Sequence, residues 1–500
     1  MIKKLLYILP LLLILLSCGR EKTPVYVPNP VIELSFKSFH EDGVILEVKS
    51  LNTDAIHVLV LPLGAEKPSV EQICNEGKPA EGEDVFIGGL ESDTDYAAYA
   101  VGRLKDRYSK ISECQFTTPF RSTERTEIPF FADLDLIPGG ITNKTPNTWD
   151  EDRIKPHVIF TDENGQEQWL HEAFLLIGGE DAKRDMILSI DSGGRRSGTQ
   201  EAWTDFADYW LKDGGVVDVL DQTITNAKTR IGRPSFRHKV VITMPDPIML
   251  EYFTDKGSST TYWGSVHDRT LDFQNTADQV LAYQWYINYV IEQWEKLTPQ
   301  NVELAGFYIL SEILVAKPSG WNYKYKRWDK ILPPVASYLH EMKYGLYWIP
   351  YYQADGYDMT EELGIDYTWI QPNKYWDYPE KEQKKSWSWV FSTMNTYGHG
   401  MEIEFEGSHG EAGWSQWEEG VARTSSSILE TVRTNNDAQG TAKGKPNPQA
   451  ARNKQLLRDY MNEFKKAGHY GKSRIATYSG TNAMYELATS PDEKDREMYL

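Results

Sequence analysis

The sequence predicts an α/β domain of the (β/α)8 barrel class preceded by a small all-β sandwich. Two observations carry this expectation. From Val31 to Pro119, short apolar runs alternate with turn residues at strand spacing. Beyond Trp149, strand-length apolar runs alternate with helix-length amphipathic stretches, the pattern of parallel strands joined by crossover helices. A third weakens the doubly wound sheet, which is the second choice. Gly178-Gly179 and Gly193-Gly194 do not match the glycine fingerprint that such a sheet places after its first strand.

In chain order, the first element is an address. Lys3 and Lys4 precede the apolar run Leu5 to Leu16, which is too short to span a bilayer comfortably. The run ends in Leu15-Leu16-Ser17-Cys18, which resembles a bacterial lipobox. That resemblance implies a signal peptide over 1–18, lipidation of Cys18, and a body anchored to the outer membrane, periplasmic or surface-exposed. The proline-rich stretch 19–30 reads as a tether.

The sandwich is expected over 31–119. Its strands are read at Val31–Phe36, Val44–Val48, Ile56–Val60, Val85–Ile87, Asp95–Val101 and Glu113–Thr118. Gly89-Leu90 through Asp95-Tyr96 resembles the leucine-to-tyrosine corner of fibronectin type III domains, and Phe116-Thr117-Thr118-Pro119 resembles their last strand. The region reads as a spacer or accessory module. Cys74 and Cys114 are too few for a disulfide framework, and either one bond or two thiols is compatible with the sequence.

Residues 120–148 carry three prolines and Gly139-Gly140 and read as a linker, so the barrel is expected over 149–500. Seven strands are predicted around Phe174, Val240, Leu304, Leu346, Tyr367, Met401 and Ile475. The eighth is expected at Met186–Ile190 or His157–Phe160. Helices are predicted at Trp203–Ile231 (broken at Gly214-Gly215), Asn275–Leu297, Trp328–Met342, Met359–Leu363, Glu382–Thr396, Trp417–Thr434 and Ala450–Ala467.

Reactive residues of parallel α/β domains sit at the carboxyl ends of strands. Here those ends read Asp246, Ser311-Glu312, Tyr351-Tyr352-Gln353, Gln371 with Asn373, and Glu404 with Glu406. Acids and amides hydrogen-bond hydroxyls, and aromatic faces stack on sugars. The stretch Met401 to Glu406 alternates strictly, with Glu402, Glu404 and Glu406 on one face. Like charges facing a closed interior raise one another's pKa. A partner carboxylate stands at Glu312, closing Tyr308-Ile309-Leu310-Ser311.

Two carboxyl groups flanking a glycosidic bond are what glycoside hydrolysis needs. Glu312 is the expected acid/base, with Glu404 or Glu406 as nucleophile. Glu402 lies deepest and reads as structural. The expected substrate-binding residues are Asp246, Tyr308, Trp348, Tyr351, Tyr352, Gln371, Asn373, Tyr375 and Trp376. Neither a cofactor nor a metal is expected, since His399 and His409 have no ligand spacing. The loop Asp191 to Arg196 reads as an anion-binding or merely solvated loop. The net charge of -20 argues against nucleic acid.

The stretches Gly306 to Glu312, Trp348 to Tyr352, Ile370 to Asn373 and Gly400 to Glu406 resemble the domain-of-unknown-function family numbered 4855. That family occurs in exported bacterial proteins, including Bacteroidetes lipoproteins. The likeness spans about Trp149 to the end and implies a domain boundary, not an activity. The acids are also similar to those of retaining barrel glycosidases, which use the fourth and seventh strands. The sequence count puts them on the third and sixth, a departure that one extra early strand removes. The expected function is thus a glycoside hydrolase acting on an oligo- or polysaccharide. The alternative is a non-catalytic glycan-binding protein of an uptake system.

Overall fold

The computed structural model describes residues 28–40, 43–91, 94–118, 127–142, 145–181, 186–191, 196–249, 260–266, 268–352, 354–377, 386–405, 448–480, 484 and 488. The expected signal peptide with Cys18, Gln353, Glu406, His409 and the helix expected at Trp417–Thr434 lie outside them. The chain divides into two compact units between Thr118 and Pro119.

The first unit has two antiparallel sheets. Val31–His40, Gly43–Leu51 and Asp84–Gly88 form one, while Ala55–Pro62, Asp95–Leu104 and Ser112–Thr117 belong to the other. Leu34, Val44, Leu46, Val58, Val85, Tyr96 and Phe116 pack between them. The Glu91 backbone N–H donates to the Tyr96 hydroxyl at 3.0 Å, closing the corner that the sequence suggested. A helix over Val70–Glu76, capped by Ser69, was not expected there. Its Cys74 packs beside Ile73, on a different cluster from Cys114, and both thiols are free.

In the second unit eight parallel strands close a barrel in chain order. They are β1 Asp133–Pro138, β2 Ala173–Ile177, β3 His238–Met244, β4 Val302–Ile309, β5 Gly345–Trp348, β6 Tyr367–Ile370, β7 Gly400–Glu404 and β8 Ile475–Tyr478. Closure is made by β1, which pairs with β2 on one side and β8 on the other. The linker assignment of 120–148 is therefore corrected. Asp133-Leu-Asp-Leu-Ile-Pro138 alternates acids with apolar residues; Pro129 precedes the strand, Pro138 ends it and Gly139-Gly140 follow it, so none interrupts it. Neither proposed eighth strand is in the barrel. Ile159–Thr161 forms a hairpin with Glu167–Trp169 around Gly165, and Met186–Ile187 joins a small side sheet.

Every residue of β3 and β4 is buried, as expected of strands covered on both faces. A Cβ on Gly306 would lie 2.1 Å from the Gly345 carbonyl oxygen, so β4 and β5 approach only because no side chain intervenes. At the N-terminal end, Phe131 stacks on Trp369 with centroids 5.8 Å apart and packs against Tyr347 at 5.2 Å. The covering helices are α1 Glu151–Val158, α2 Gln200–Leu211, α3 Val216–Ile231, α4 Thr276–Leu297, α5 Trp328–Glu341, α6 Trp387–Tyr397 and α7 Pro448–Ala467. Asn275, Thr199 and Ser386 cap α4, α2 and α6 with side-chain oxygens. The segment Met359–Leu363 forms turns instead of the expected helix. No helix among the described residues is long and apolar enough to cross a membrane.

Candidate active site

Strand β4 delivers Tyr308 into the barrel and ends just before Ser311 and Glu312. The loop after β2 brings Asp191 to the same place. Its Oδ2 accepts from the Ser311 hydroxyl at 2.7 Å and from the Glu312 backbone N–H at 3.0 Å. Its Oδ1 lies 2.8 Å from Nζ of Lys326, an ammonium whose side chain is 2% exposed. On the other side, the Trp348 indole N–H donates to the Ser311 carbonyl at 2.8 Å, and the Tyr351 N–H reaches the Glu312 carbonyl at 3.3 Å. The segment carrying Glu312 is thus held from β2 and from β5.

Glu312 is exposed as a residue, yet protein crowds its carboxyl end. That desolvation, with the Asp191 charge added, pushes its pKa up to about 7. Strand β7 turns Glu402 and Glu404 inward, while Met401 and Phe405 pack with Phe391 and Phe464 in the outer core. Both glutamates are fully buried. Burial raises Glu402 well above the carboxylate range, the charges of Glu404 and Glu312 raise it further, and a hydrogen bond with the Gln371 side chain opposes them. Its Oε2 has no hydrogen-bond partner.

The hydrogen-bond register links Glu312 to Tyr351, Tyr351 to Gln371, and, one residue past the last β6–β7 pair, Gln371 to Glu402. Register partners are not level in a barrel. The strands tilt, and equal height advances roughly one residue per strand, a shear of about eight over eight strands. Three steps from β4 therefore bring Glu404, two residues beyond Glu402, about level with Glu312. Glu402 lies beneath the pair.

Tyr308 sits among these acids. Burial raises its hydroxyl pKa first, and Glu312, Glu402, Asp246 and Asp191 all add to the rise. Four carboxyl groups from β2, β3, β4 and β7 thereby converge on one phenol.

The remaining expected residues divide by exposure. Asp246 is 2% exposed. Its Oδ2 accepts the Ile190 N–H at 2.8 Å, its Oδ1 lies 3.5 Å from the Tyr283 hydroxyl, and burial pushes it up to about 8. It supports the loop that carries Asp191 and offers no face to a ligand. Trp348 is 0% exposed, so the expectation of a sugar-stacking surface there is corrected: its ring is core and its N–H is a strut. Tyr352 is also enclosed, against Tyr351, with centroids 4.4 Å apart. Tyr351 and Gln371 are half-buried at the strand ends, and Tyr375 is buried on the short helix Lys374–Asp377, which also carries Trp376. Asn373 is half-buried with φ +56°, a left-handed conformation that asparagine tolerates. Asp191 and Lys326 are residues whose part here sequence reasoning missed. The loop that Asp191 opens was read as anion-binding or solvated, and a lysine between Tyr325 and Arg327 carried no signal of its own. His399 Nε2 lies 2.8 Å from the Tyr357 carbonyl, and no group of three or more potential metal ligands occurs among the described residues.

Residues 133–427 match the family described as a domain of unknown function, DUF4855. The chain belongs to that family. The match opens on the first residue of β1, ahead of the Trp149 start read from the sequence. No curated protein matches the sequence. Among solved structures, the chain is similar to chitinase ChiW from Paenibacillus sp. str. FPU-7, at 11% identity and TM-score 0.34, over 94% of this chain and 42% of that one. It is similar to Ruminococcus gnavus β-glucuronidase at 9% identity and TM-score 0.32, over 90% of this chain and 61% of that one. The fn3 domain of human collagen alpha-1(XX) matches 21% of this chain, with 95% of its own length covered, at 18% identity and TM-score 0.16. The chain spans less than two thirds of the length of both hydrolases.

Proposed function

We propose that the DUF4855 domain is a glycoside hydrolase, with Glu312 as acid/base and Glu404 as its partner carboxylate. The observation that carries this reading is an acid held up to about 7 after β4, with two buried carboxyl groups, Glu402 and Glu404, on β7. Counting β1, these are the fourth and seventh strands, so the departure from retaining barrel glycosidases disappears. A group poised near neutral pH suits protonation of a leaving oxygen. Tyr351, Gln371 and Asn373 are the proposed contacts to sugar hydroxyls and faces, and an oligo- or polysaccharide is the proposed partner. Glu402, beneath the pair and carrying a raised pKa, is assigned to support.

The lipobox resemblance extends the proposal to an anchored protein of the outer membrane, with the first unit as a spacer. The deciding experiment screens purified protein against polysaccharides and host glycans, with products followed by chromatography. Glu312→Gln and Glu404→Gln should abolish turnover and keep ligand affinity. A glycan that binds but is never cleaved by the parent protein would replace the hydrolase reading with that of a binder.

A further inference from the structure

The loop Asp191-Ser-Gly-Gly-Arg-Arg196 follows β2, and the arrangement around Asp191 gives it a use beyond anion binding or solvation. Asp191 makes three contacts at 3.0 Å or less, and two of them, from the Ser311 hydroxyl and the Glu312 N–H, hold the segment that carries Glu312. The third ties it to Lys326 at 2.8 Å, on the short helix Tyr323–Lys326 that follows β4. Behind it, the Asp191 N–H donates to Ser189 Oγ at 3.2 Å and the Ile190 N–H to Asp246 at 2.8 Å, so Asp191 is itself held.

We propose that Asp191 is the positioning residue of this site: it fixes Glu312 through Ser311 and the backbone and, balanced by Lys326, sets the charge that the Glu312 carboxyl meets. The consequence for turnover rests on the hydrolase reading, while the effect on Glu312 does not. The charged and titratable groups linked to Glu312 are Asp191, whose charge acts on it, Lys326 paired with Asp191, and Tyr308 and Glu402, on which Glu312 acts; Asp246 from β3 acts on Tyr308. Among them Asp191 adds most to the effect of burial on Glu312. Among the described residues Lys326 is the cation paired with Asp191, and that ion pair keeps Asp191 partly neutralised. An uncompensated carboxylate would hold the proton on Glu312 more tightly, and a lone ammonium would release it. A carboxylate paired as here leaves Glu312 near neutrality, where a group can both give and recover a proton.

The test uses opposite charge changes at the two ends of one ion pair in the full chain. Asp191→Asn keeps an acceptor and removes the negative charge, and it should lower the Glu312 titration midpoint by about one pH unit. Lys326→Met leaves Asp191 its Ser311 and Glu312 donors, and it should move the midpoint the other way. The double variant should lie between the two single variants. Carbon-13 NMR of labelled glutamate side chains reads this directly, with the Glu312 resonance assigned by its absence in Glu312→Gln. The alkaline limb of kcat/KM on a cleaved glycan should move in parallel. Movement of the Glu312 midpoint in a protein that cleaves no glycan would support the positioning role and defeat the hydrolase reading. A midpoint unmoved in a folded Lys326→Met variant and in Asp191→Asn would overturn the proposal, since a merely structural Asp191 would change stability alone.

Discussion

Towards the N-terminal end of the barrel strands, Asp135 on β1 meets His157 Nδ1 at 2.6 Å, and Lys239 Nζ lies 3.2 Å from Glu172. At the C-terminal end, the charges of Glu404 and Glu312 add to the effect of burial on Glu402, that of Asp191 adds to it on Glu312, and Lys326 is committed to Asp191. Both regions bury ionisable groups that water would solvate well. At the first end acids face bases, and His238, packed among Phe174, Trp169 and Phe236, is pushed down to about 3 and stays neutral. At the second, acids face acids, and the pKa values of Glu312 and Glu402 rise. Opposite pairing offsets the cost of burial, while like pairing adds to it. A fold keeps like charges together only where the surrounding structure enforces it, and such places are sites of chemistry more often than of stability.

If the two ends differ in this way, mutation should separate them. The largest effect is expected from Glu312→Gln and Glu404→Gln, each lowering kcat by on the order of 10²- to 10⁴-fold while leaving the melting temperature nearly unchanged. Loss of folding instead of turnover would erase the contrast. Asp135→Ala should do the reverse. It removes a buried partner of His157 and should cost about 3 kcal/mol in chemical denaturation, with kcat per folded molecule retained.

A third test concerns pH. Glu312 must carry its proton to act as an acid, and its raised pKa places the loss of that proton near 7. kcat/KM should therefore fall as pH rises through about 7, and a flat profile from pH 6 to 8 would remove Glu312 from the acid role. The smallest effect is expected at Glu402. Its folded pKa lies above its unfolded value, so its ionisation in solution favours unfolding increasingly as pH rises above the ordinary carboxylate range. Glu402→Gln removes that term. The variant should gain stability relative to the parent as pH rises from 4 to 8, with activity within about tenfold. A melting-temperature difference independent of pH would contradict the raised pKa.

Much of the barrel was legible because its cause is local. Strand-length apolar runs such as Val302–Ile309 and amphipathic stretches such as Thr276–Leu297 announce themselves by period, and buried parallel strands leave near-continuous apolar text. The first strand was not legible. Asp133-Leu-Asp-Leu-Ile-Pro138 is short, carries two acids and is followed by turn residues, so local propensity favoured a linker. Closure of the barrel overrides that preference, because without β1 the edges of β2 and β8 would be left unpaired.

The same division holds at the site. The sequence by itself determined that Glu312 closely follows a strand, and that Glu402 and Glu404 share one face of another, because alternation in a strand has a period of two. Only the tertiary structure decided which strand stands fourth and which seventh. Tilt and shear then brought Glu404, more than Glu402, about level with Glu312. Tertiary packing also made Trp348 a strut instead of a platform, and it joined Asp191, Ser311 and Lys326 across more than a hundred residues of chain. Depth, enclosure and the sign of a neighbouring charge are properties of three-dimensional packing, and no local pattern of residues encodes them.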